Sequence, residues 1–213
     1  MDTSLWTLPA GELLDRTASA DPTPGGGSVA AVTASLGLGL VLMSVEVTLA
    51  GAHRDDADTD PGELQQARTD GVELLGRLRA AADRDVAEFE SVMAAYRLPR
   101  GDETEVATRR EAVDTALVSA TEGPLELVEQ ALAGIDLADR VEPAVSATVV
   151  SDTLAGRDLL TGAARAALRT ADINLGPLER REHPQAAALR RRRDAAERAL
   201  PPSAEPQTPG GDR

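Results

Sequence analysis

Apolar residues recur at steps of three and four positions along most of this chain, which is the spacing of amphipathic helices. The longest such pattern runs from Leu64 to Tyr96. The pattern as a whole predicts helices over residues 9–19, 29–50, 64–96, 104–133, 142–171 and 184–199. β-Branched residues cluster at 143–150, but every neighbouring segment is helical. We therefore expect an all-α fold, a multihelical antiparallel bundle around one buried central helix.

Glycine and proline mark the expected breaks between these helices. Residues 51–62 form a predicted loop, and Gly123-Pro124 is expected to kink or divide the fourth helix. Asn174-Leu175-Gly176-Pro177 is expected to end the fifth helix. In the first helix, Leu13 and Leu14 are expected to point inward.

The second predicted helix is apolar on all sides, since no charge lies between residues 28 and 45. Its length is close to that of a membrane span. Serine, threonine and glycine dilute its apolarity, Glu46 follows directly, and no Lys or Arg flanks it before Arg54. These features favour a helix buried between other helices or in a subunit interface over a membrane span.

Composition narrows the classes of function. The chain of 213 residues has no cysteine, which excludes disulfides and thiolate chemistry and fits a reducing compartment. Its formal net charge of −14 argues against nucleic-acid binding. Residues 1–15 carry acidic side chains and no apolar core, so no signal peptide is predicted and the expected location is cytoplasmic.

The C-terminal part of the chain differs from the rest. Arg190 to Arg193 are expected to be a solvated helix face and not a nucleic-acid site, because four consecutive arginines point around the whole helix. Residues 201–213 are rich in proline, glycine and serine and are expected to be disordered. The predicted organisation is a helical domain over 1–178, an Arg-rich helix over 179–200 and this tail.

A glycine-rich segment precedes the apolar helix: Pro22-Thr23-Pro24-Gly25-Gly26-Gly27-Ser28. The glycines permit unusual backbone conformations and let another group approach the main chain closely. Ser28 is a good N-cap for a helix that begins at Val29. Because amide N–H groups and the positive end of the helix dipole meet here, the segment is a candidate anion site. The alternative is a tight turn that only allows close helix packing.

Three further segments contain polar residues that are candidates for chemistry. Asp85 and Phe89 lie four residues apart and hence on one helix face. Ser151-Asp152 and Asn174-Leu175 follow downstream. Taken singly, each has a structural explanation, such as an exposed aspartate beside a core phenylalanine or a solvated Ser-Asp pair.

Together, these segments resemble the formimidoyltetrahydrofolate cyclodeaminase / methenyltetrahydrofolate cyclohydrolase family. The resemblance rests on the Pro-Thr-Pro-Gly-Gly-Gly-Ser segment, on Asp85-x-x-x-Phe89 with Leu98-Pro99, and on Ser151-Asp152 and Asn174-Leu175 at matching separations. It implies an all-helical homodimer that holds a folate in a cleft between helices. It also implies hydrolysis of 5,10-methenyltetrahydrofolate to 10-formyltetrahydrofolate, or cyclodeamination of formiminotetrahydrofolate. No metal or organic cofactor is implied beyond the folate substrate.

Under this resemblance the candidate residues receive roles. Asp85 is the first choice as general base, and Asp152 is the second, as an electrostatic partner or as the group that orients Ser151. The substrate-binding candidates are Pro24, Gly25, Gly26, Gly27, Ser28, His53, Ser151 and Asn174.

The sequence departs from the family pattern at two places. After the apolar helix the family usually has a glycine, then Lys or Arg, and then an aromatic residue. This chain has Ala50-Gly51-Ala52-His53-Arg54 with no aromatic residue, so His53 or Arg54 would have to stand in for the basic one. Ser146 stands where the family usually has asparagine. Two alternatives to a folate enzyme therefore stay open. One is a diverged member of the same fold that binds folate or only dimerises, and the other is a helical membrane or scaffold protein.

Overall fold

The computed structural model describes residues 4–51 and 61–202, and all regular structure in these two ranges is helical. A short 3₁₀ helix spans Leu5–Thr7. The α-helices are α1 (Ala10–Thr17), α2 (Gly26–Gly51), α3 (Pro61–Arg97), α4 (Glu103–Val141), α5 (Val150–Arg180) and α6 (Ala186–Ala199). The expected all-α class is confirmed.

Helices α2 to α5 form an up-down-up-down bundle. Side chains from opposite ends of α2 and α3 meet, Ser28 with Asp85 and Glu46 with Arg68, so these two helices are antiparallel. Arg84 pairs with Glu126 on α4. Helix α5 runs back along both α4 and α2. Leucine, valine and alanine fill the space between the four helices, because a chain with so few aromatic residues builds its core from small aliphatic side chains.

Two glycines allow α2 and α5 to lie unusually close. A Cβ atom at Gly37 would stand 2.8 Å from the carbonyl oxygen of Gly156. A Cβ at Gly156 would stand 2.5 Å from the carbonyl oxygen of Gly37. Since real Cβ atoms do not approach so closely, any side chain at either position would push the two backbones apart.

Helix α2 is buried in the core on most of its surface, but one face remains exposed. It is the one helix in the described ranges that is long and apolar enough to cross a membrane, judged by length and composition alone. In its most apolar window 61% of the residues are buried inside the protein. Leu36, Met43 and Val47 remain exposed on the face that α3 and α5 leave open.

The start of α2 differs from the prediction. The helix begins at Gly26, since the N–H of Val29 already donates to the carbonyl of Gly25. Ser28 is therefore not the N-cap; it lies fully buried inside the first turn. In α1, Leu13 packs against the core as expected, whereas Leu14 is 67% exposed and the prediction for it was wrong.

Helix α4 runs through Gly123-Pro124 without a break, so the expected division of this helix was wrong. Pro124 has no N–H, which leaves the carbonyl of Ala120 without its helical donor. The side-chain amide of Asn174 on α5 donates to that carbonyl at 2.7 Å. A tertiary hydrogen bond thus replaces the one that proline removes.

The fifth helix is displaced along the chain from its prediction of 142–171. Helix α4 extends to Val141, residues 142–149 form turns, and α5 continues past Asn174 and Pro177 to Arg180. The turn is tied to α2, because the N–H of Ser146 donates to Thr48 Oγ1. Residues 143–149 are thus neither a strand nor part of a helix, and Val150 is the first residue of α5.

Helix α6 confirms the predicted last helix and packs on α4 and α5. Its arginines are not all solvated, which corrects the expectation for Arg190–Arg193. Arg192 forms two hydrogen bonds with the carboxylate of Glu129, and Arg193 forms two with Asp172. These ion pairs attach α6 to the bundle, since the acidic partners lie on α4 and α5.

A candidate active-site cavity at one end of the bundle

A cavity of about 370 Å³ opens where the glycine-rich segment meets α3, α4 and α5. Asp85 and Glu88 are its acidic residues, and Gly25, Gly26 and Asn174 also line it. The remaining wall is mainly apolar and comprises Phe89, Val92, Met93, Tyr96, Leu117, Ala120, Ile173 and Pro177, with Pro22 and Thr23 at the glycine-rich segment. Four segments that are far apart in the chain therefore meet in one place.

Asp85 is fixed by contacts with the first turn of α2. The hydroxyl of Ser28 donates to Asp85 Oδ2 at 2.6 Å. A Cβ at Gly27 would stand 2.6 Å from Asp85 Cγ and 2.9 Å from Oδ2. The carboxylate thus occupies the space that a side chain at position 27 would need.

The glycines act here through close approach and not through special backbone geometry. No glycine in the described ranges has a positive φ, so the expectation of an unusual backbone conformation was wrong. The first N–H groups of a helix have no acceptor within it. In this structure the group that lies against the N-terminal turn of α2 is the protein's own Asp85 carboxylate.

Glu88 is a second carboxylate in the cavity, one helical turn after Asp85. Its side chain is only 13% exposed. A Cβ at Gly123 on α4 would stand 2.8 Å from Glu88 Oε1 and 2.9 Å from Cδ, so this glycine makes room for the carboxyl group. Burial raises the pKa of Glu88 to about 7; Arg84 and the Ser119 hydroxyl oppose this rise, and Asp85 and Glu126 add to it.

Arg84, the arginine next to Asp85 in sequence, pairs with other carboxylates. Arg84 pairs with Glu126 at 2.7 Å and lies 3.8 Å from Glu88 Oε1. Asp85 has no arginine partner among the residues that the structure describes. An ion pair between Arg84 and Asp85 therefore does not explain why an aspartate occupies this position.

The apolar wall provides a surface for a flat ring. Phe89 and Tyr96 lie two helical turns apart on the same face of α3. The guanidinium of Arg109 donates to the Tyr96 carbonyl and lies 5.6 Å from the centre of its ring. Asn174 completes this end of the cavity, and its Nδ2 group is held by the carbonyls of Ala120 and Thr170.

Several predicted site residues lie elsewhere. Ser151 and Asp152 are at the start of α5, about 33 Å along that helix from Asn174 at 1.5 Å per residue, so one chain does not bring them to the cavity. Ser146 lies in the turn at that same distant end. Pro24 is buried on the far side of the segment, where it lines a smaller cavity with α1. His53 is outside the described residues.

Sequence reasoning missed Glu88. The signal available was its spacing: it lies three residues after Asp85 and one before Phe89, on the same helix face. Two carboxylates on one face are common in exposed helices. Only the packing of α4 against α3 shows that the Glu88 carboxylate is enclosed. The cavity thus combines a carboxylic acid that titrates near neutral pH, a second carboxylate and an aromatic wall, which suits proton transfer beside a cationic ring.

Comparison with known proteins identifies relatives of this chain. The family model described as formiminotransferase-cyclodeaminase matches residues 9–193. A methenyltetrahydrofolate cyclohydrolase of Methylorubrum extorquens is 35% identical over 162 residues, which cover 76% of this chain and 74% of that protein. The crystal structure of a formiminotetrahydrofolate cyclodeaminase from Thermotoga maritima matches with a TM-score of 0.68 at 21% identity, covering 92% of this chain and 94% of that one.

Proposed function

Because this chain belongs to the formiminotransferase-cyclodeaminase family, we propose that it catalyses folate one-carbon interconversion in the cavity between α2, α3, α4 and α5. The observation that carries the proposal is the meeting of Asp85 and Asn174 with the glycine-rich segment around one apolar cavity. The family resemblance rests on these same segments. Hydrolysis of 5,10-methenyltetrahydrofolate to 10-formyltetrahydrofolate is the favoured reaction, since the relative at 35% identity is named a cyclohydrolase.

The cavity fits the chemistry of this substrate. Methenyltetrahydrofolate has a flat pterin and a cationic amidinium carbon, which water attacks. The aromatic and aliphatic side chains of α3 and α4 offer a surface for the rings, and the Asp85 carboxylate offers negative charge for the cation. The Asn174 side chain and the main chain at Gly25 and Gly26 are placed to hold polar atoms of the pterin. The proposed reaction uses water and the protein's own carboxylates.

The proposal is tested by the absorbance of methenyltetrahydrofolate, which disappears on hydrolysis. We expect purified protein to accelerate this loss above the spontaneous rate, measured in the same buffer and subtracted. Binding of folate without any acceleration would instead support the diverged, non-catalytic alternative. Absence of both binding and turnover would leave only a shared fold.

We also propose that the chain forms a homodimer through α2. The exposed apolar residues of this helix follow heptad spacing, which is the pattern of a helix that packs against a second helix. The exposed ones are Leu36, Met43, Val47 and Ala50, and the half-buried Val29 and Leu40 belong to the same repeat. The single charged residue of α2, Glu46, pairs with Arg68 of the same chain, so no unpaired charge opposes the approach of a second copy.

Replacement of Leu36 by glutamate tests this interface. Leu36 is 61% exposed, so the change should not disturb the fold, but it would place a charge in an apolar contact. We expect wild-type protein to sediment as a dimer without detergent and Leu36→Glu to sediment as a monomer at micromolar concentration. Val106→Glu is the matched control, because Val106 is 50% exposed on α4 and lines a pocket to which α2 contributes no residue. A monomeric wild type, or a dimeric Leu36→Glu, would contradict the proposal.

A further inference from the structure

The two carboxylates of the cavity have different surroundings. Asp85 already accepts a hydrogen bond from the Ser28 hydroxyl and lies against the backbone of Gly27. Glu88 has a weaker contact, because the Ser119 hydroxyl lies 3.4 Å from its Oε1. One acid is held by a short hydrogen bond, and the other retains capacity to exchange a proton.

We infer that Glu88 is the catalytic residue that removes the proton from the attacking water, while the Asp85 carboxylate stabilises the cationic ring. The inference rests on the proposed hydrolysis and assigns its acid-base group. It differs from the sequence prediction, which placed the general base at Asp85.

Position supports this division of roles. Residues three apart on a helix have Cβ atoms roughly 5–6 Å apart, so both carboxylates can reach one bound ring system. Both line the same cavity, with Phe89 next to Glu88. Glu88 enters the cavity because α4 has glycine at position 123, where any side chain would displace its carboxyl group.

Burial and the surrounding charges together determine the pKa of Glu88. In the described ranges, the charged groups that face it are Arg84 and Asp85 on α3 and Glu126 on α4. The cavity residues contributed by α5 are all uncharged: Ile173, Asn174 and Pro177. Burial is the largest influence and raises the pKa of Glu88 to about 7. A general base is most effective when its pKa lies near the working pH, because it is then both available and basic enough.

The proposed step conserves atoms and protons. As the water oxygen bonds to the amidinium carbon, one water proton passes to Glu88 and a neutral carbinolamine forms. Glu88 then gives this proton to N5 while the bond between that nitrogen and the carbon breaks. The carbinol O–H proton is released to Glu88 and finally to solvent. The products are 10-formyltetrahydrofolate and one proton, with no oxidant or reductant required.

The pH dependence of kcat/KM separates the two carboxylates, because it reports the groups of the free enzyme. In wild type, kcat/KM should fall as pH drops through about 7, because the base becomes protonated. Glu88→Gln should lower kcat by about a hundredfold or more and abolish this fall. Asp85→Asn should also be slow but should keep the fall, moved to lower pH, because the charge of Asp85 helps to raise the pKa of Glu88. Glu88→Asp should restore part of the rate and retain a pH-dependent limb.

Glu90→Gln is the matched control, since Glu90 is exposed on the same helix and does not line the cavity. Binding of tetrahydrofolate and melting temperature are measured on every variant, so that misfolding is recognised. A Glu88→Gln enzyme that keeps its rate or its pH limb would overturn the inference while leaving the proposed function intact. If only Asp85→Asn lost the fall in rate at low pH, Asp85 would be the general base instead. A wild type without turnover would instead reject the proposed function itself.

Discussion

Asp85→Asn is expected to lower turnover by about a hundredfold or more while the protein still folds. Asparagine has nearly the same shape, and its oxygen can still accept the hydrogen bond that Ser28 donates at 2.6 Å. What disappears is the negative charge that we propose faces the cationic ring. Steady-state hydrolysis rates and the melting temperature of the same preparation measure the two effects.

Asp83→Asn is the matched control on the same helix. Asp83 accepts the Leu5 N–H at 2.8 Å and the Ser4 hydroxyl at 2.6 Å, and it does not line the cavity. Its replacement should therefore lower the free energy of unfolding, by about 1–3 kcal/mol, and leave turnover of the folded protein unchanged. The idea about Asp85 fails if Asp85→Asn instead behaves like Asp83→Asn, with lost stability and normal turnover.

The long helices could be predicted from the sequence because their apolar positions repeat over many turns. Helix α3 was expected over 64–96 and spans Pro61–Arg97, and α6 was expected over 184–199 and spans Ala186–Ala199. Periodicity depends only on which side of the helix faces the core. It therefore requires no knowledge of the partner helix.

The helix breaks at proline could not be predicted in the same way. Proline removes a backbone hydrogen bond, and local reasoning assumes that nothing replaces it. At Pro124 the replacement is Asn174, which lies fifty residues away in sequence and donates to the freed Ala120 carbonyl. Only tertiary structure brings such a donor to the right carbonyl.

The candidate site could be predicted in part. The glycine-rich segment, Asp85 and Asn174 meet in one cavity, in agreement with the grouping that the family resemblance suggested. Asp152 belongs to that grouping by sequence but lies at the other end of α5. In an up-down bundle the two ends of a helix face different neighbours, so membership of the same helix does not establish membership of the same site.

The Gly123-Pro124 pair shows why Glu88 was missed. In the sequence, the pair was interpreted only as a helix breaker, which gives no reason to connect it with a catalytic site. In the structure, Gly123 makes room for the Glu88 carboxyl group, and Pro124 frees the carbonyl that holds Asn174. The pair therefore positions two residues that line the cavity, Glu88 of α3 and Asn174 of α5. This role depends on the side chains of two other helices and cannot be read from the pair alone.

Gly27→Ala is expected to reduce turnover about as strongly as Asp85→Asn. The added methyl group would stand 2.6 Å from Asp85 Cγ, so the carboxylate must rotate away and lose its bond to Ser28. The effect on stability should be smaller, because two contributions oppose each other. Alanine favours the helix by about 1 kcal/mol, and the lost charged hydrogen bond costs about 1.5–3 kcal/mol. Urea unfolding and hydrolysis rates measure these separately.

A double variant determines whether Gly27 acts through Asp85. If the glycine only makes room for that carboxylate, Gly27→Ala combined with Asp85→Asn should be no slower than the slower single variant, since both changes remove the same interaction. Gly76→Ala on α3 is the control for helix propensity, because a Cβ there meets open space. It should gain about 1 kcal/mol of stability and keep its turnover. Additive losses in the double variant would contradict the role proposed for Gly27 and would indicate that the glycine contacts the substrate directly.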